Sequence, residues 1–163
     1  RWILKLKERG VIIAVCSKNT NSVAKEPFEK HPEMIIRLDD ISVFVANWEN
    51  KADNIKYIQE VLNIGFDSMV FLDDNPFERN IVREYLPEVI VPELPEDPAL
   101  YLEYLYSLNL FETVSSSEAD KQRTKMYQTA AKRSIEEKKF INEEDFLQSL
   151  NMLSNIESFC LGP

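Results

Sequence analysis

Glycine is scarce. The chain has three in 163 residues, at positions 10, 65 and 162. None falls between 66 and 161, which leaves that stretch without glycine turns and suits a helical second half. Histidine is scarcer still. His31 stands alone in "EKHPEM", between two predicted elements, where local packing or a turn explains it better than general-base chemistry. The two cysteines, Cys16 and Cys160, are far apart and lack metal-ligand spacing. Cys16 lies in an apolar run and reads as a small buried thiol, which fits a reducing, cytoplasmic compartment. Positive charge is in the minority: Lys and Arg total 19 against 28 Asp and Glu, a net charge of -9. Nucleic acid and anionic membrane surfaces both select a basic face, so neither is expected as a partner. The Tyr101, Tyr104, Tyr106 group accordingly reads as packing, because no basic groove accompanies it. No apolar run approaches the roughly 18 to 20 residues of a membrane-spanning helix. No signal peptide is visible in these residues, nor an internal repeat, nor a low-complexity segment beyond Ser115–Ser117. The chain opens on Arg1 and is expected to be a cut end, with any leader lying upstream.

What remains is globular in composition, with 44% hydrophobic and 29% charged residues, and long enough for one core. "RWILKLKERG" places Trp2, Ile3 and Leu6 on one helical face, with Gly10 where a helix C-cap favours glycine. "VIIAVC", 11–16, is a continuous β-branched run and predicts a strand buried on both faces. "NSVAKEPFEKH" has helical character interrupted at Pro27. "SVFVANW", 42–48, is strand-like. From Lys51 a helix follows, with Ala52, Ile55, Ile58, Val61 and Leu62 on one face. Asn50 with Asp53 suits a capping box at its start, and Gly65 its end. "MVFL", 69–72, predicts another buried strand, and Asn75-Pro76-Phe77-Glu78 a helix opening. "EVIVPE", 88–93, reads as a short strand. Alternating apolar strands and helices predict an α/β fold: a Rossmann-like parallel sheet with flanking helices over 1–98. Residues 99–152 predict an all-helical extension that packs on the sheet or leads onward. Within it, Met126, Tyr127, Ala130 and Ala131 form a thin apolar stripe, and a last helix is capped at Asn142. Residues 153–163 carry no clear signal.

Ligands in parallel sheets bind at the carboxyl ends of the strands. Three clusters fall there. "FLDDNP" drives a strand into Asp73 and Asp74. Adjacent carboxylates at a strand end do not both ionise cheaply unless positive charge sits between them, which Mg²⁺ supplies with few protein ligands. Simple helix capping is the competing explanation. "VCSKNTNS" ends a strand in Ser17, Lys18 and Asn19, a group able to hold a phosphate; an ordinary strand-to-helix loop has the same composition. Lys51 opens a helix, an unfavourable place for a cation unless an anion lies nearby.

The order Ser17, Lys51, Asp73-Asp74 resembles motifs two, three and four of the haloacid-dehalogenase-like (HAD) phosphotransferases. "AVCSKN", "EPFEKHPEM", "LDDISVFVANWENK", "LNIG", "VFLDDNPFER" and "LPEVIVPELPEDP" are similar to the FkbH-like branch, from about Val11 to Pro98. The likeness continues more loosely through "FETVSSSEADKQRTKMY" and "FLQSLNM". The resemblance implies that Asp73 and Asp74 bind Mg²⁺, and that Ser17 holds the phosphoryl group with Lys18 and Asn19 shaping the turn. Lys51 would neutralise the phosphate and a nucleophilic aspartate. It further implies phosphoryl chemistry on a glycerate-type phosphorylated small molecule, linked to glyceryl or acyl transfer onto the thiol of an acyl carrier protein. The superfamily's first motif, a strand followed by Asp-x-Asp-x-Thr/Val, has no match here. Its strand is central to the family's sheet. The chain is therefore expected to start downstream of its nucleophile, to be inactive alone, and to leave a gap that a missing segment or second chain would fill. A non-catalytic scaffold fragment with an acidic helical tail is the alternative. A receiver-like signalling domain fits less well, because its acidic pair follows the first strand.

Overall fold

The computed structural model describes residues 1–112 and 118–138. Among them the chain forms a small α/β unit with six α-helices and a two-stranded parallel sheet. The first helix, α1, covers Trp2–Glu8. It closes on Gly10 at φ 89°, with the Gly10 N–H donating to Lys7 O and the Val11 N–H to Leu6 O, both at 3.0 Å. This paired closure needs a left-handed residue, which glycine supplies without strain. It also uses the Val11 amide, so the strand expected over 11–16 begins later: β1 is Ala14–Lys18. That shift brings Ser17 and Lys18 into the strand. β1 is also not buried on both faces: Ala14 is exposed and the other four residues are half-buried.

β1 pairs in parallel with β2, Val43–Asn47, in the register Ala14–Val43 through Lys18–Asn47. The connection runs through helix α2, Asn21–Lys30. α2 is continuous through Pro27, contrary to the expected interruption. The proline forfeits one backbone hydrogen bond, while its carbonyl still accepts from the His31 N–H at 3.2 Å. β2 alternates as a covered strand does. Val43 and Val45 face the core under helix α3, Lys51–Leu62, while Phe44 meets Phe28 of α2 edge-on at 5.6 Å between ring centres. α3 buries all five residues of its predicted apolar face. Its end is set by Asn63, left-handed at φ 51°, two residues earlier than Gly65. The expected capping box is half made. Asn50 accepts from the Ala52 N–H at 2.7 Å, but Asp53 turns to Lys56 at 3.0 Å.

α3 divides the core into two clusters. One holds Val43, Val45, Ile58, Val61, Leu62 and Ala131; the other holds Ala52, Ile55, Phe71, Val82, Leu86 and Val89. Cys16 and Met69 touch both. The second cluster includes helix α4, Pro76–Tyr85, opened by Asn75 accepting from the Phe77 N–H at 2.9 Å. The runs 69–72 and 88–93 do not form full strands. They share one parallel bridge, Val70–Ile90, with Phe71 N–H donating to Ile90 O at 2.9 Å and Ile90 N–H to Met69 O at 3.0 Å. Among the described residues no ladder joins β1 to 69–72, so the apolar runs make two separate paired units.

Helix α5, Tyr101–Ser107, lies near α1, where the Trp2 and Tyr106 rings meet at 5.7 Å. Helix α6, Glu118–Glu137, packs on α3 and α1 through fully buried Ala131 and buried Thr124. The expected stripe is corrected here. Met126 is 71% exposed and Ala130 also faces water, because the inward line runs Thr124, Tyr127, Ala131, Ile135 at helical spacing. The helix expected from Asn142 lies outside the described residues. No helix among the described residues is long and apolar enough to cross a membrane.

Candidate active site

Lys51 is the first residue of α3, directly after its cap. The preceding loop is held by two hydrogen bonds between the side-chain amides of Asn47 and Asn54, at 2.7 and 3.0 Å, and by the Glu49 N–H donating to Asn47 Oδ1 at 3.1 Å. This fixes where Lys51 starts. Its side chain is only 10% exposed and runs to Asp73, with Nζ 2.5 Å from Oδ2. Nζ also donates to Cys16 O at 3.1 Å, so one ammonium ties β1 to the end of the 69–72 run. An ammonium at the positive end of a helix, out of water, is costly without a carboxylate. Asp73 provides it, and its other oxygen accepts from the Asn75 N–H at 2.9 Å.

Asp74 behaves differently. Its side chain is exposed and has no partner among the described residues. Its backbone is nevertheless fixed. Arg79, 4% exposed, donates from Nη1 to the carbonyls of Asp73 and Asp74 at 2.8 and 3.0 Å. Arg79 is tied in turn by Glu93, which also accepts from Arg83 at 2.7 Å. The hydrogen bonds from Arg79 and then Arg83 hold the exposed Glu93 carboxyl below its usual range.

On the β1 side, Lys18 pairs with Glu78 of α4 at 2.6 Å. Cys16 senses this whole group. Burial raises its thiol to about 11, Lys51 opposes, Asp73 and Glu78 add to the rise, and Lys18 again opposes. A thiol held at that level is protonated at neutral pH and is not an activated nucleophile. Ser17 sits between these partners in sequence. Strand alternation sends its hydroxyl to the face opposite Cys16 and Lys18, and Oγ makes no hydrogen bond among the described residues. Asn19 accepts from the Thr20 N–H at 2.8 Å and so shapes the turn into α2. The structure therefore joins Lys51 to Asp73 and places Lys18 with Glu78. Asp74, Ser17 and Asn19 lie in the adjoining turns and strand end without touching that pair. His31 accepts from the Glu33 N–H at 3.3 Å, at the exposed end of α2.

Glu78 and Arg79 were not singled out from the sequence as site residues. The signal was present: Glu78 and Arg79 stand four and three residues before Val82, on the face that buries Val82 and Leu86. Charged residues on the apolar side of a helix call for partners. No group of three or more His, Cys, Asp or Glu is placed to cage a metal among the described residues. Mg²⁺ needs no such cage; one or two carboxylates with water and phosphate suffice. The donor chemistry of Asp73 and unpartnered Asp74 fits it.

No family model matches the chain, and no curated protein does. A solved structure does match: the N-terminal part of the protein BF1531 from Bacteroides fragilis, which contains a phosphatase domain and is complexed with Mg. It is 76% identical, with a TM-score of 0.69, over 70% of this chain. The match spans 30% of that chain's length.

Proposed function

We propose that this chain is part of a Mg²⁺-dependent phosphatase-type domain of HAD-like architecture and FkbH-like branch. Its Ser17–Asn19 strand end, Lys51 and Asp73-Asp74 would bind a phosphorylated small molecule of the glycerate type. The buried Lys51–Asp73 pair carries this reading. A cation and a carboxylate sit together at the end of a parallel unit, beside a second lysine, in a chain similar to a Mg-bound phosphatase domain. Lys51 would meet the phosphate charge while pairing with Asp73, and Lys18 would orient the phosphoryl oxygens. Asp73 and Asp74 would hold Mg²⁺, whose charge, when bound, offsets that of the phosphoryl group.

Hydrolysis requires a nucleophile that these residues do not supply. Cys16 is protonated, and no Asp-x-Asp-x-Thr/Val occurs in the sequence. On this reading the chain alone is silent in a phosphatase assay. Activity would require a strand bearing that motif, from an adjoining segment or second chain, laid between β1 and 69–72, where no ladder is made among the described residues. Glyceryl or acyl transfer to a carrier-protein thiol is the wider role we assign by family likeness. Titration calorimetry with inorganic phosphate and Mg²⁺ tests the site. Binding that falls at least tenfold in both Lys51→Met and Asp74→Asn supports it. Binding untouched by either substitution, or none at millimolar ligand, would sink it.

A further inference from the structure

Glu78 is a buried carboxylate with an incomplete set of partners. Its side chain is 8% exposed, Oε1 meets Lys18, and Oε2 is buried with no hydrogen-bond partner among the described residues. A buried ion pair is weak evidence of a stabilising role, because apolar residues of similar volume in place of both partners often do as well. Its position suggests another role. Four charged groups act on the Cys16 thiol: two ammoniums, Lys18 and Lys51, and two carboxylates, Asp73 and Glu78. These four charges cancel, so together they have little pull on a dianion. Lys51 is anchored on two sides, by Asp73 and by Cys16 O. Lys18 is the looser cation, 31% exposed and held only by Glu78 among the described residues.

We propose that Glu78 is an internal counter-ion that competes with phosphate for Lys18, a positioning residue that sets how tightly the anion binds. This rests on the reading of Lys18 as part of the phosphate site. In the resting state Glu78 holds the Lys18 ammonium; an incoming phosphate takes Lys18 over and leaves Glu78 without its cation. That stranded charge opposes binding, and its removal favours it.

Calorimetry with inorganic phosphate, without divalent cation, is the test. Glu78→Gln keeps the shape and removes the charge; it binds phosphate about tenfold tighter than the parent chain. Adding Lys18→Met abolishes that gain. In the parent chain the ¹³C resonance of the Glu78 carboxyl shifts as phosphate is added, a readout that needs no variant to fold. Equal or weaker binding by Glu78→Gln, or a Glu78 resonance that does not move, overturns the competition while leaving the phosphate site standing. No phosphate binding by parent or variant, with or without Mg²⁺, overturns both.

Discussion

At the scale of single residues, Lys51 carries the most. Its pair with Asp73 is out of water on both sides, at 10% and 7% side-chain exposure. Removing one partner strands the other. Lys51→Met is expected to lower stability by about 3–5 kcal/mol, and Lys51→Met with Asp73→Asn by clearly less, in urea unfolding followed by circular dichroism. Cys16 gives a pH prediction. Its folded thiol titrates near 11, above the ordinary value of 9.0. The folded state therefore keeps a proton that the unfolded chain gives up. This contribution is whole below pH 9 and is lost as pH rises toward 11. Urea midpoints should fall across that window in the parent chain and fall less in Cys16→Ala. Lys51 could be suspected from the sequence because a cation at a helix start is out of place. Its partner could not, since Asp73 and Asp74 are identical in type and only the Asn75 turn decides which points inward.

Among the secondary elements, the periodic ones were legible and the pairings were not. α3 shows its buried face in plain 3.6-residue spacing, and all five predicted positions are covered. The start of β1 departs from the sequence pattern, because Val11 looks like a strand residue yet gives its amide to the end of α1, whereas β2 starts within one residue of expectation. The stripe on α6 was read from apolar type alone; small Thr124 and Ala131 go inward while larger Met126 goes out, because α3 and α6 pack closely there. Ala131→Phe should therefore cost about 1–3 kcal/mol of stability by overpacking, whereas Met126→Gln should cost less than about 0.5 kcal/mol. The α4 start has its own device in Arg79. Arg79→Met removes two charge-assisted bonds to the Asp73 and Asp74 carbonyls. A loss of roughly 2–4 kcal/mol is expected, with Arg79→Lys recovering only part, since a lysine lacks the planar fork. Thermal unfolding of the three proteins checks this.

For the whole molecule, the central feature is an edge made by two paired units that, among the described residues, do not pair with each other. β1–β2 and the Val70–Ile90 bridge are joined through α3, through Cys16 and Met69, and through the single ammonium of Lys51. Composition and alternation announced an α/β unit, but sheet connectivity depends on contacts between distant residues that no local pattern records. The functional account needs those distant residues to meet one ligand together. An amide-resolved titration of the full chain with Mg²⁺ and inorganic phosphate asks this most directly. The account predicts saturable shifts concentrated at Ser17–Asn19, Lys51 and Asp73–Asn75, all following one binding curve. Shifts confined to one of these segments, or scattered over α2 and α6 with none at Lys51, would contradict it.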